Sequence, residues 1–90
     1  MATPFRLDNK TALVTGGASG IGEATCRVLT DAGASVIILD LDRQRAGALA
    51  QELPGASTVI CDITDEAQVR DAFAAIPALD ILINNAGIGL

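Results

Sequence analysis

The segment best suited to chemistry is rich in glycine and reads TGGASGIG from residue 15. Its glycines follow the spacing G-x-x-x-G-x-G directly after a short apolar run. We expect Gly16 to turn the chain out of a strand, Gly20 to let the backbone approach a phosphate, and Gly22 to pack a helix closely. Free N–H groups at the start of that helix would bind a diphosphate, with the Ile21 N–H and the Ser19 hydroxyl as donors. A loop that needs glycines only for its geometry is the alternative.

A carboxylate stands at the end of the next apolar run. Asp40 lies eighteen residues after Gly22, close to the separation at which dinucleotide sites carry an acidic residue that binds the adenosine ribose. A carboxylate there repels a 2′-phosphate, and neither Leu41 nor the glycine segment supplies a basic side chain. Asp42 adds negative charge, and Arg43 is the one nearby cation that could swing back. The sequence therefore predicts NAD(H) over NADP(H), unless Asp40 only caps a helix or closes a turn.

These residues lie between elements that alternate along the chain. Strands are predicted at residues 11–15, 35–40, 58–62 and 80–84, and helices at 21–31, 43–53 and 65–76. The alternation predicts an α/β fold, which is part of a Rossmann-type doubly wound parallel sheet with strand order 3-2-1-4. The composition is 50% hydrophobic but only 2% aromatic, which suits a sheet of branched aliphatic residues that is buried on both faces.

Apolar residues at helical spacing predict the side of each helix that packs on the sheet. They are Ala24, Val28, Leu29 and Ala32 in the first helix, Ala46, Leu49, Ala50 and Leu53 in the second, and Val69, Ala72, Phe73 and Ile76 in the third. Gly33 is placed to end the first helix and Pro77 to end the third. Thr64 is placed to cap the third helix.

Composition argues against several kinds of site. The net charge of −5 and the absence of histidine argue against a nucleic-acid partner and a zinc site. Cys26 and Cys61 are interpreted as small buried hydrophobes. The longest aliphatic run, residues 36–39, is too short to cross a membrane. We expect one domain over residues 1–90, with no metal, no nucleic acid and no membrane partner, in the cytoplasm.

With these residues assembled, the chain closely resembles the short-chain dehydrogenase/reductase family from about residue 7 to residue 87. TGGASGIG looks like the cofactor loop of that family, and NNAG from residue 84 looks like its second signature. Asp62 matches the carboxylate that meets the adenine amino group. The resemblance implies that Ile63 contacts the adenine and that Asn84 braces the sheet. It also implies contacts along the adenosine ribose and towards the nicotinamide for Asn85, Ala86 and Gly87. NNAG alone could be an ordinary strand-ending turn.

The resemblance implies an oxidoreductase that transfers a hydride between NAD(H) and a secondary alcohol or carbonyl compound. Members of the family are longer, and their catalytic Ser, Tyr and Lys would follow Leu90. This chain has no Tyr, and Lys10 precedes the first strand, so no residue here is expected to be catalytic. A small-molecule substrate and a homo-oligomer, dimer or tetramer, are expected at full length. The alternatives are a stand-alone, non-catalytic dinucleotide-binding module and a truncated, inactive fragment. The isolated piece is expected to be aggregation-prone or only partly folded.

Overall fold

Strands and helices alternate along the chain as the sequence predicts. The structure is a computed structural model that describes residues 6–85. Its elements are β1 (Thr11–Thr15), α1 (Gly20–Asp31), β2 (Ser35–Asp40), α2 (Arg43–Glu52), β3 (Ser57–Ile60), α3 (Glu66–Ala74) and β4 (Ile81–Asn84). The strands form a parallel sheet in the order β3-β2-β1-β4. The predicted α/β class and the strand order 3-2-1-4 are therefore confirmed.

The sheet buries side chains on both faces because successive residues of a strand point in opposite directions. Val14, Val36 and Ile38 lie in the cluster that α1 and α2 cover. Leu13 and Leu39 lie in a second cluster, which packs against α3. Parallel strands place all their carboxyl ends at the same edge, and in this class of sheet that edge is where ligands bind.

The side of α1 that packs on the sheet differs in part from the prediction. Gly22 and Cys26 are its buried residues, and Leu29 packs against the same cluster. Ala24 is exposed and Val28 keeps 66% of its surface accessible, so the prediction is wrong for these two residues. The small residues at positions 22 and 26 allow the helix to lie close to the sheet, and this orientation turns Val28 away from it.

The packing sides of the other two helices are confirmed. Ala46, Leu49 and Leu53 are buried beneath α2, and Ala50 packs beside them. The predicted apolar side of the third helix faces the second cluster but is only partly buried. Val69, Ala72 and Phe73 lie in α3, whereas Ile76 lies beyond its end at Ala74, so the prediction that Pro77 ends this helix is wrong. The α3 side of the sheet is therefore less completely covered than the other side.

The predicted cap of α3 is wrong by one residue. Asp65 occupies the N-cap position, and its Oδ1 accepts hydrogen bonds from Ala67 N at 3.0 Å and Gln68 N at 3.2 Å. The Thr64 hydroxyl donates instead to Asp62 Oδ1 at 2.7 Å. That bond draws residues 62–64 into a turn, which explains why β3 ends at residue 60 rather than at residue 62. At the end of α1, Gly33 has φ 104°, as expected of a helix stop.

Both cysteines are free and buried, as predicted. Burial raises the pKa of the Cys26 thiol to about 11 and also raises the pKa of Cys61. The Cys26 thiol lies 3.6 Å from the Gly17 carbonyl oxygen, to which it donates. These protonated thiols act as small apolar side chains in the core.

Candidate functional site

The glycine segment forms the turn between β1 and α1 at the carboxyl edge of the sheet. Gly16 has φ 63° and Gly20 has φ 57°, a backbone conformation that favours glycine. The Gly16 N–H donates to the Leu39 carbonyl at 2.8 Å, which ties the turn to the end of β2. The turn that the sequence assigned to Gly16 is therefore confirmed.

Close packing explains two other glycines of the segment. A Cβ on Gly22 would collide with the Gly16 carbonyl oxygen and would lie 2.7 Å from Asn85 Nδ2. A Cβ on Gly17 would lie 3.0 Å from the Val14 carbonyl oxygen, a constraint that sequence reasoning did not assign. A Cβ on Gly20 would meet nothing within 4 Å, so the backbone there is open to an incoming group.

The N-terminus of α1 has hydrogen-bond donors that nothing in the described chain uses. Ser19 is the N-cap residue, but its side chain makes no capping hydrogen bond. The N–H groups of residues 19–22 have no acceptor within residues 6–85. By contrast, Asp42 caps α2 and Asp65 caps α3 through their carboxylates. Of the three helix N-termini, the start of α1 is therefore the one with free N–H groups for an external anion. These groups add to the positive end of the helix dipole.

Asp40 faces the glycine segment from the end of β2. Its Oδ2 accepts a hydrogen bond from Ala18 N at 3.0 Å, and its Oδ1 accepts one from Asp42 N at 2.9 Å. The second bond is the turn-closing role that the sequence left open as an alternative, whereas capping of α2 belongs to Asp42. Each oxygen of the half-buried Asp40 carboxylate keeps acceptor capacity for a further donor.

The loop after β3 presents a second acidic group at the same edge. Asp62 Oδ1 accepts hydrogen bonds from the Thr64 hydroxyl at 2.7 Å and from Thr64 N at 2.9 Å, and these bonds lower the pKa of Asp62. The Asp62 N–H donates to Gln68 Oε1 at 3.0 Å. Within residues 6–85, neither Asp62 Oδ2 nor the Ile63 N–H has a hydrogen-bond partner. The loop thus offers one acceptor and one donor on adjacent residues.

A cavity of about 260 Å³ joins these groups. Asp40 and Asp62 supply its charge, while Leu41 and Ile63 supply apolar surface, with 68% and 36% of their areas exposed. Its full lining is Gly16, Leu39, Asp40, Leu41, Cys61, Asp62, Ile63 and Thr64. Such a cavity suits a flat, apolar ring that carries hydrogen-bonding groups at its edge.

The end of β4 is held against the glycine segment by Thr15. Its hydroxyl accepts a hydrogen bond from Asn85 N at 2.9 Å and lies 3.2 Å from Asn84 Oδ1, to which it can donate. The Asn84 side chain therefore braces the sheet, but its partner is the Thr15 hydroxyl and not the backbone group that was expected. Sequence reasoning did not assign this role to Thr15, because its burial, at 6% exposed, and its partners are set by the fold. Two further positions predicted to bind cofactor, Ala86 and Gly87, lie outside the described residues.

The structure thus brings most of the predicted site residues to one edge of the sheet. They are Gly16, Ser19, Gly20, Ile21 and Gly22 in the first turn, Asp40 after β2, Asp62 and Ile63 after β3, and Asn85 after β4. No group of three metal-binding side chains occurs in the part of the chain that the structure describes. Within the same residues, no helix is long and apolar enough to cross a membrane. The strand order and the glycine turn at the carboxyl edge define a Rossmann-type domain.

Comparison with known proteins identifies the family. A family model described as short chain dehydrogenase matches residues 10–90, so the chain belongs to the short chain dehydrogenase family. It is 44% identical to the mitochondrial (-)-isopiperitenol/(-)-carveol dehydrogenase of Mentha piperita, over 97% of this chain and 36% of that protein. The resemblance inferred from the two motifs is confirmed, and the chain spans about a third of the length of this relative.

Solved structures of similar fold contain both kinds of nicotinamide dinucleotide. A 3-ketoacyl-(acyl-carrier-protein) reductase from Brucella melitensis, complexed with NADH, superposes with a TM-score of 0.85 and is 42% identical over 92% of this chain and 36% of that chain. The Pseudomonas aeruginosa RhlG/NADP active-site complex superposes with a TM-score of 0.87 and is 35% identical over 93% of this chain and 37% of that chain. Family membership therefore leaves the choice between the two dinucleotides to the residues of each protein.

Proposed function

We propose that this chain binds the adenosine diphosphate half of NAD(H) within an oxidoreductase. The observation that carries the proposal is the start of α1, where four N–H groups lack acceptors within residues 6–85 and the N-cap Ser19 hydroxyl leaves them uncapped. A pyrophosphate placed there would accept hydrogen bonds from the Ile21 N–H and the Ser19 hydroxyl. Gly16, Gly20 and Gly22 provide the turn and the bare backbone that such an approach needs.

The cavity beside that turn fits the adenosine. Asp40 would accept hydrogen bonds from the ribose hydroxyls through the acceptor capacity that its two backbone bonds leave. Asp62 Oδ2 would accept from the adenine amino group, and the Ile63 N–H would donate to a ring nitrogen. Asn85 would lie on the path towards the nicotinamide, followed by Ala86 and Gly87.

Asp40 favours NAD(H) over NADP(H). A 2′-phosphate would have to approach the Asp40 carboxylate, and the Ala18 N–H that could receive it already donates to that carboxylate at 3.0 Å. Of the nearby cations, Arg45 already faces an anion, because its Nε lies 3.8 Å from Asp42 Oδ2, and Arg43 is exposed to solvent. Repulsion between the Asp40 carboxylate and the 2′-phosphate would then make NADP(H) bind more weakly than NAD(H).

We further propose that the protein acts on a secondary alcohol or the matching carbonyl compound, in the cytoplasm, as a homo-oligomer. The relative from Mentha piperita, a carveol dehydrogenase, supports this substrate class. Two free, buried cysteines suit a reducing compartment. The nicotinamide supplies the hydride chemistry, and the described residues bind and orient the cofactor. Fractionation of cells and sedimentation of the full-length protein would test the compartment and the oligomer.

Calorimetric titration with NADH and NADPH tests the cofactor proposal on the full-length protein. We expect the wild type to bind NADH more tightly than NADPH. We expect Asp40→Ala to weaken NADH binding by about tenfold or more and to reduce the ratio of NADH affinity to NADPH affinity. Asp71→Asn is the control, because it removes an exposed carboxylate of α3 that does not line the cavity. Tighter binding of NADPH by the wild type, or an unchanged preference in Asp40→Ala, would contradict the assignment of Asp40.

A further inference from the structure

The loop between β3 and α3 forms hydrogen bonds with the side chain of Gln68, which does not line the cavity. Gln68 is the third residue of α3, and its side-chain amide makes two hydrogen bonds to that loop. Its Oε1 accepts from Asp62 N at 3.0 Å, and its Nε2 donates to Asp65 Oδ2 at 3.2 Å. The Gln68 side chain therefore joins Asp62, which lies just after β3, to Asp65, which caps α3.

These bonds complete the internal hydrogen bonding of the loop. Thr64 N donates to the Asp62 carboxylate at 2.9 Å, and Asp65 N donates to the Asp62 carbonyl at 3.0 Å. With the Asp62 N–H bound to Gln68, the Ile63 N–H is left as the donor that the loop can offer to the cavity. Without Gln68, the Asp62 N–H would lose its acceptor, and the peptide between Cys61 and Asp62 would lose the bond that fixes its orientation. Asp65, whose own N–H holds the carbonyl of the peptide between Asp62 and Ile63, would lose its bond to the Gln68 amide.

We propose that Gln68 is a positioning residue for recognition of the adenine base. It holds the Asp62 backbone so that the Ile63 N–H and the Asp62 carboxylate face the cavity together. This inference rests on the proposed function, because it assumes that the cavity receives the adenine of the dinucleotide. It adds a residue outside both sequence motifs to the group that selects the base.

The test compares two dinucleotides that differ only in the base. Hypoxanthine lacks the amino group of adenine and carries a proton on the adjacent ring nitrogen, so it cannot use the same acceptor and donor. We expect the wild-type protein to bind NADH more tightly than nicotinamide hypoxanthine dinucleotide (reduced). In Gln68→Met, which keeps the length of the side chain but removes both hydrogen bonds, this preference should shrink by roughly five- to tenfold.

Two controls separate positioning from general stability. Gln51→Met makes the same substitution at an exposed glutamine of α2 and should leave the base preference unchanged. Gln68→Glu keeps the acceptor for Asp62 N but sets a carboxylate against Asp65, so an intermediate preference is expected. If the role of Gln68 is purely structural, Gln68→Met should weaken the binding of both dinucleotides by the same factor. That result would overturn the proposal. Failure of the wild type to bind either dinucleotide would instead overturn the proposed function itself.

Discussion

The Asp40 carboxylate accepts a hydrogen bond from the Ala18 N–H at 3.0 Å. This bond joins the end of β2 to the glycine segment, two parts of the chain that are 22 residues apart. The same carboxylate accepts from Asp42 N and so also closes the turn into α2. Asp40 is therefore held at the edge of the cavity by two backbone N–H groups, one from the glycine segment and one from the turn into α2.

Substitution of Gly22 should be costly because there is no room for a side chain. In Gly22→Ala the new Cβ would meet the Gly16 carbonyl oxygen, which is backbone and cannot rotate away. We expect a loss of about 1–3 kcal/mol in the free energy of unfolding and a weaker affinity for NADH. Gly47→Ala is the control, because a Cβ there meets nothing within 4 Å and should stabilise α2 by about 0.5–1 kcal/mol. Urea unfolding measures both, and equal effects of the two substitutions would contradict the packing assigned to Gly22.

The N-cap residues of α1 and α3 should respond differently to truncation. Asp65→Ala removes a carboxylate that accepts from two backbone N–H groups, so it should cost about 1 kcal/mol of stability. Ser19→Ala removes a hydroxyl that caps nothing, so it should change stability by less than about 0.5 kcal/mol. It should nevertheless weaken NADH binding by about tenfold, because a donor to the pyrophosphate is lost. A large loss of stability in Ser19→Ala, with unchanged affinity, would show that Ser19 is an ordinary cap.

Stability should fall at alkaline pH because of Cys26. Burial raises the pKa of this thiol from 9.0 to about 11. Between pH 9 and pH 11 the thiol therefore ionises in the unfolded chain but stays protonated in the folded chain. The contribution of the protonated thiol to the free energy of unfolding is fully present below pH 9 and is lost as the pH rises. The loss amounts to about 2 kcal/mol by pH 10.5. The difference in unfolding free energy between wild type and Cys26→Ala, followed from pH 8 to pH 10.5, isolates this group from the others. A difference that stays constant with pH would show that the thiol is not desolvated.

The 90-residue chain on its own should self-associate. Val28 on α1 and Leu82 on β4 are large apolar residues with 66% and 52% of their surfaces exposed, and β4 has a neighbour on one side only among the described strands. Sedimentation velocity over a range of concentrations would detect the association, and Val28→Glu with Leu82→Lys should reduce it. A soluble monomer that melts cooperatively would contradict this prediction.

The strands and the glycine turn could be predicted from the sequence because the signals are local. Short aliphatic runs end at polar residues, and the bounds of β1 and β2 match the prediction residue for residue. Gly16 and Gly33 were recognisable because a turn or a helix stop favours glycine, and both have positive φ. The site residues lie together because a parallel sheet gathers its carboxyl ends at one edge.

Features that depend on packing between distant elements were not predictable in this way. Val28 follows the apolar spacing of α1, but the small residues Gly22 and Cys26 decide which side of the helix approaches the sheet. Thr15 and Gln68 act through hydrogen bonds to partners that only the fold identifies. Thr64 was a reasonable cap in sequence, but its hydroxyl bonds to Asp62 instead.

Pyrophosphate binding at the start of α1 can be followed through the backbone amide resonances during titration with NAD. In ¹H–¹⁵N spectra of the full-length protein, we expect saturable shifts at Ser19, Gly20, Ile21 and Gly22 as the pyrophosphate binds to the start of α1. The amides of Asp40 and Ile63 should shift with the same dissociation constant. Saturable NAD binding that leaves residues 19–22 unshifted, or no binding at all, would show that the start of α1 does not hold the pyrophosphate.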